Sequence, residues 1–296
     1  MCRFFAYSGP EILMDELLHN ACNSLIKQSK SAQKTHLPVN GDGFGIGWYP
    51  THDDPEPGTF VSVDPAWSNK NLLQLASKLK SSHFFAHVRD ASGGLSVSLQ
   101  NCHPFQHGRY LWMHNGLLDE FDLYRRDLLA QLNDTLFNAI QGSTDSEYAF
   151  ALYLHNLAQQ VERFAGESVD AMQSALLACI KQIMQLRNNK GAHRNAFMNF
   201  AVTNGEDTLV TRFSSDENTQ PSSLFYAKGQ LRRCGQGLLC IENNQNTDEH
   251  AIIIASEPLT QDRENWIKVE RNHMVIARAN QTVKTMAIPL PYQRDL

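Results

Sequence analysis

Strand-forming runs stand at both ends of this chain and helical runs fill the middle, and that order restricts the folds open to it. "CRFFAYS" near the start is a short aromatic-rich strand ended by "GP". Beyond residue 196 strand signals dominate, in "FMNFAVTNG", "TLVTRFS", "SLFYAK", "AIIIASEP", "WIKVER", "MVIARAN" and "TVKTMAI". After the first strand, Ile12, Leu13, Leu17, Leu18, Cys22, Leu25 and Ile26 repeat at helical spacing. Two more helices are expected within 120–140 and a longer one from near Thr144. "SVDAMQSALLACIKQIMQLR" is the clearest amphipathic helix. Strands at both ends with helices between them pack as sheets within helical layers, and the whole of 1–296 reads as a single domain.

The intermediate stretches agree. "GDGFGIGWYP" is a glycine-rich turn entering a strand, "THDDPEPG" a hairpin-type loop, and "TFVSV" the return strand. Residues 67–80 read as helical, "HFFAHVRD" as a strand, and "RYLWMHNG" as a strand running into a turn. A Rossmann unit is disfavoured, because these glycines lead into a strand whereas the dinucleotide fingerprint leaves one and opens a helix. "SSDENTQPSS" and "ENNQNTDEH" read as surface loops.

Composition narrows the partners. A chain of 296 residues, 42% of them hydrophobic, can bury a substantial core. A net charge of −5 argues against nucleic acid or an anionic membrane as the main partner. The start lacks the pattern of a signal peptide, and no apolar run approaches the ~18 residues of a membrane helix. The six cysteines are scattered without a CxxC pair and read as reduced thiols of a cytoplasmic protein.

Candidate chemistry is spread along the first half. Cys2 is either a small buried hydrophobe or, once Met1 is removed, a thiol carrying its own α-amine. That amine has a reference pKa of about 7.7–8.0, suited to a general base at neutral pH. Arg89 closes an apolar strand, either as a surface ion pair or as a guanidinium fork for a carboxylate, and "DASGG" after it could fold over a ligand. Asn115–Gly116 is a turn signal, or an amide beside a backbone N–H that together could hold an oxyanion. "GSTDSE" caps a helix through Ser143, Thr144 or Asp145, and a carboxylate there could also accept from a substrate ammonium. A metal is not expected. His83 and His87, four apart on a strand, would stand about 13 Å from one another.

Taken in order, Cys2, "AHVR", "NCHPF", "HNG" and "TDSE" closely resemble the class II glutamine amidotransferases, with "NGDGFGIGWY" and "ASEPL" similar to the stand-alone members. The resemblance implies an N-terminal-nucleophile hydrolase with a four-layer αββα sandwich, an α+β fold of two mainly antiparallel sheets between helical layers. It implies Cys2 as nucleophile, Asn115 and Gly116 as the oxyanion hole, Arg89 for the α-carboxylate of glutamine and Asp145 for its α-ammonium. His103 matches a histidine lying near the glutamine site in some members. No cofactor is implied. Attack on glutamine or another γ-glutamyl amide would give a thioester, then glutamate and ammonia or an amine. No phosphate-binding signature follows for a second, ammonia-consuming activity, so either a separate subunit takes the ammonia or the protein is an amidohydrolase. The alternatives are a cysteine hydrolase of other linear amides and a scaffold or regulatory subunit without turnover.

Overall fold

The computed structural model describes residues 2–32, 39–50, 54–91, 96–234, 239–242 and 250–289, and the elements below are those among them. The strongest amphipathic patterns give two long helices packed on each other, α5 (Asp145–Arg163) and α6 (Val169–Asn189). Each is N-capped as its sequence suggests. The Thr144 hydroxyl accepts the Glu147 N–H at 3.3 Å, and the Ser168 hydroxyl accepts the Ala171 N–H at 3.1 Å. Shorter helices are α1 (Leu25–Lys30), α2 (Lys70–Ala76), α3 (Phe121–Leu129) and α4 (Asp134–Ala139).

The strands form two antiparallel sheets. The first runs in the order β10 (Leu239–Glu242), β9 (Phe225–Arg233), β11 (Ala251–Ala255), β1 (Arg3–Leu13), β4 (Lys80–Val88), β2 (Phe44–Trp48), β3 (Gly58–Ser62), with β12 (Ile267–Lys268) also on β9. The second runs β14 (Val283–Ala287), β13 (His273–Ala277), β8 (Thr208–Arg212), β7 (Ala196–Thr203), β6 (Tyr110–Leu118), β5 (Phe105–His107). The first strand of the chain thus pairs with β11, from near its far end.

Strand alternation sorts the apolar residues into three cores and so fixes four layers. Phe4, Ala6, Phe85, Ile252 and Ile254 of the first sheet meet Leu111, Met113, Ala201, Val210 and Val275 of the second. Phe5, Tyr7, Phe84 and Ile253 point the other way, onto α1, α2 and the π-helical turn Glu16–Asn20. Trp112, Phe200 and Met198 face α3–α6. Trp112 ties that layer down, its ring lying 5.5 Å from Phe150, 5.4 Å from Tyr153 and 4.6 Å from Phe200. Each such aromatic pair is worth about 0.5–1.5 kcal/mol beyond area burial. The result is the expected α+β fold, an αββα sandwich.

Several local expectations are corrected. β1 does not stop at Gly9–Pro10. A register shift between Ser8 and Ile12 absorbs the proline, and Ile12 and Leu13 pair with Ser81 and Lys80 instead of opening a helix. The remaining helical pattern divides into the π-helical turn and α1. Asn115–Gly116 is not a turn but lies inside β6, opposite Asn199 and Met198 of β7. A Cβ at Gly116 would collide with the Phe197 carbonyl and the His114 ring, so glycine serves close approach there. β5, inside "HPFQH", and β10 carry patterns too short to stand out.

Residues 51–53 of "THDDPEPG", 92–94 of "DASGG" and 243–249 of "ENNQNTDEH" lie outside the described residues. "SSDENTQPSS" is non-helical as expected, but its Ser214, Pro221 and Ser222 are buried. Cys234 and Cys240 are joined as a disulfide, against the expectation of six reduced thiols. Pairing of β9 with β10 brings their Cα atoms to 6.0 Å, within bridging range, which spacing alone does not reveal. No helix among the described residues is long and apolar enough to cross a membrane.

Candidate active site

The alternation that builds the core also aims the reactive groups. Phe4 and Ala6 face the space between the sheets, so the same period carries Cys2 to that side. Arg3 pairs with Val88 and Phe4 with His87, and continuing that ladder sets Arg89 beside Cys2. On β6, Met113 faces the inter-sheet space and Trp112 the helices. Asn115 therefore faces the side of Cys2, while His114 turns toward α5.

Cys2, Arg89, Asp90, His103, His114, Gly116, Leu117, Thr144, Asp145, Ser146 and Phe197 line one cavity of about 270 Å³. That is the size of a small-ligand site, not a macromolecular one. Five of the six residues singled out from the sequence line it, and Asn115 lies next to Gly116, wholly buried.

The polar bookkeeping around this cavity is uneven. Arg89, 3% exposed, donates through Nη2 to the Ser96 carbonyl at 3.2 Å, but its Nη1 is buried without a partner. Neither amide atom of the Asn115 side chain is hydrogen-bonded, and neither ring nitrogen of His103. Asp145 is better held. Its Oδ2 accepts the Leu118 N–H at 2.6 Å, while the Ser146 hydroxyl stands 3.2 Å from Oδ1 and closer, 2.8 Å, to His114 Nδ1. Buried polar groups are ordinarily satisfied, and although others such as Trp112 Nε1 and Tyr153 Oη are also unpartnered among the described residues, Arg89 and His103 bring such atoms to the wall of this cavity.

Burial pushes the Cys2 thiol up, against the opposing pulls of the Asp90 N–H, 3.5 Å from Sγ, and the Arg89 charge. A thiol so placed needs a base close by. The histidines cannot be cations there. His87 stacks on His103 with ring centroids 4.3 Å apart, and burial lowers His87 to about 3 and His103 well below the usual imidazole value. His83 is elsewhere, its Nε2 sharing hydrogen bonds with the Thr203 and Thr208 hydroxyls at 2.8 and 3.1 Å. Among the described residues no group of three His, Cys, Asp or Glu side chains is placed to hold a metal ion.

Sequence reasoning missed the parts that hold these groups still. Arg3 donates through Nε to Glu257 at 3.1 Å and through Nη1 to the Cys2 carbonyl at 2.8 Å, the Arg3 and Glu257 side chains being almost wholly buried. The Ser256 hydroxyl accepts the Phe4 N–H at 3.1 Å, and the Ser256 N–H reaches the Phe4 carbonyl at 3.0 Å. "ASEPL" is the signal that could have found this clamp. From "NGDGFG", Asp42 accepts the Ala91 N–H at 2.8 Å, and the Gly43 carbonyl accepts the Arg89 N–H at 2.8 Å.

Gly45 lets β2 pass against the segment that presents His103, since a Cβ there would collide with the His103 carbonyl. Gly45→Ala should therefore destabilise the fold by about 1–3 kcal/mol, the usual range for overpacking. Urea unfolding measures it, and an unchanged midpoint would show that the His103 segment yields freely.

Comparison with known proteins gives concordant matches. The family model of class-II glutamine amidotransferases matches residues 14–295. The "Probable glutamine amidotransferase DUG3" of Saccharomyces cerevisiae is 35% identical over 312 residues, covering 100% of this chain and 87% of its own. The gamma-glutamyl-hercynylcysteine sulfoxide hydrolase of Mycobacterium tuberculosis is 29% identical over 120 residues, 40% of this chain and 50% of that one. A glutamine aminotransferase class-II domain protein from Silicibacter pomeroyi superposes with a TM-score of 0.62 at 22% identity, over 97% of this chain and 99% of that one. That last likeness bears on the fold.

Proposed function

The chain belongs to the class II glutamine amidotransferases, and from that premise we propose that it is an amidohydrolase with Cys2 as nucleophile, acting on glutamine or another γ-glutamyl amide. One observation carries the reading. Arg89, whose buried Nη1 has no partner among the described residues, lines one small cavity with Cys2, Asp145 and Gly116, and the unbonded Asn115 amide adjoins it at Gly116. A γ-glutamyl head offers a carboxylate, an ammonium and an amide carbonyl, which are the complements of Arg89, Asp145 and the pair Asn115 and Gly116.

With Met1 removed, the Cys2 amine takes the thiol proton as sulfur attacks the amide carbonyl. The carbonyl oxygen gains the charge, and the Asn115 side chain and Gly116 N–H donate to it. Collapse breaks the C–N bond, and the amine base returns its proton to the departing ammonia or amine. Water then attacks the thioester, giving glutamate and the free thiol. Clamping the charged end of the substrate makes the first attack effectively unimolecular.

The clamp reads only the γ-glutamyl head, so amides larger than glutamine fit the same scheme. The similarity to a γ-glutamyl hydrolase supports direct hydrolysis. A partner subunit that consumes ammonia is the other outlet we propose to test. The deciding experiment measures glutamate release from glutamine, glutathione and other γ-glutamyl compounds, with and without cell extract. Release from none of them in either condition would overturn the proposal. Arg89→Lys keeps the charge but loses the planar fork, so KM for the preferred substrate should rise about tenfold or more with kcat little changed. A steady-state comparison showing an unaltered KM would move the carboxylate to another residue.

A further inference from the structure

The Ser146 hydroxyl stands between two acceptors. His114 Nδ1 lies 2.8 Å from Oγ, and Asp145 Oδ1 lies 3.2 Å from it. The other ring nitrogen of His114, Nε2, is 2.9 Å from the Phe197 carbonyl. A carbonyl only accepts, so Nε2 carries the hydrogen. Burial favours the uncharged ring, opposed by the Asp145 charge and the Phe197 carbonyl, and an uncharged ring with its hydrogen on Nε2 has a lone pair on Nδ1, facing the hydroxyl. The hydroxyl has one proton and cannot serve both neighbours. The shorter contact is to His114.

We propose that His114 is a positioning residue for substrate binding: by accepting the Ser146 hydroxyl's hydrogen bond at Nδ1, it keeps Asp145 Oδ1 open as an acceptor for the α-ammonium of the substrate. The Phe197 carbonyl is part of the device, since it selects the tautomer. Asp145 keeps its aim through the Leu118 N–H on Oδ2, so the hydroxyl is not needed to orient it. This rests on the reading of Asp145 given above. It adds a reason for the buried histidine at "HNG", whose two ring nitrogens bond Ser146 and Phe197.

The consequence has an unusual sign. If the ring nitrogen is removed, the hydroxyl turns to Asp145 and blocks the ammonium site. If the hydroxyl is removed as well, the site reopens. The readout is the ratio of dissociation constants for glutarate and glutamate, which differ by the amino group, measured by calorimetric titration of the full chain.

His114→Phe, which keeps a flat ring against Phe200, should cut that ratio roughly tenfold, the order of one charge-assisted hydrogen bond. The double variant with Ser146→Ala should recover it to within about threefold of the parent, and Ser146→Ala alone should leave it within about the same margin. An unchanged ratio in His114→Phe, or no recovery in the double variant, overturns the inference, because a merely structural histidine would not be rescued by deleting a hydroxyl. Where His114→Phe does not fold, Ser146→Ala still decides, since a large fall in its ratio means the hydroxyl supports Asp145 and the inference is wrong. Asp145→Asn separates this failure from that of the parent reading. A ratio unmoved in that variant removes Asp145 from ammonium binding altogether, and the inference falls with it.

Discussion

Cys2→Ala should release no measurable glutamate from glutamine or any γ-glutamyl amide, a loss of at least about 10⁴-fold in kcat, as expected when a nucleophile is removed. The fold should hardly notice. The Cys2 side chain is only part-buried, and its contacts are with the Asp90 backbone. The unfolding free energy should therefore move by no more than about 0.5–1 kcal/mol. The pairing of results matters. Activity lost with stability kept assigns the sulfur to chemistry, whereas a variant retaining even one part in a hundred of the parent rate would remove Cys2 from the reaction. Intact mass should be measured alongside, because a chain retaining Met1 lacks the free amine and should be as inactive as the variant.

Asn115→Ala should lower kcat by about 10²–10³, equivalent to about 2.7–4 kcal/mol, with KM nearly unchanged, since an oxyanion donor acts only as charge develops. The structure adds a second expectation. Deleting a hydrogen-bonded buried amide strands its partners, at a cost of about 1–3 kcal/mol. The Asn115 side chain has no such partners among the described residues, so its deletion should strand nothing, and the protein should be about as stable as before. Burying an unsatisfied amide is a liability that folding alone would not favour. A raised KM at normal kcat, or a large drop in urea midpoint, would assign Asn115 to substrate affinity or to the fold.

Much of the frame could be read in the chain because its signals are periodic. The apolar stripes of α5 and α6 repeat over many turns, the Thr144 cap has the residue types that capping needs, and alternating strands at both ends must pair with something. The candidate site residues came from the resemblance that "AHVR", "HNG" and "TDSE" carry in order, and strand period and register bring Cys2 and Arg89 to one side only once β1 and β4 are known to pair. What stayed hidden depends on contacts remote in sequence. Gly116 looks like half of a turn until β7 lies against it. Ile12 and Leu13 look helical until Ser81 and Lys80 pair with them. The Arg3–Glu257 pair spans nearly the whole chain, and the His114–Ser146 contact joins a strand to a helix start that no local pattern connects.

The beginnings of folded chains are usually where order is first lost. Here the opening residues run into a strand held on both sides, by β4 and β11, and fastened by Arg3 and Ser256. Under the proposed function, the Cys2 thiol has the aim of an interior residue and, with Met1 removed, the open chemistry of a terminus. On that proposal, extensions left ahead of residue 2 should abolish activity whatever their composition, and handles for purification belong at the other end.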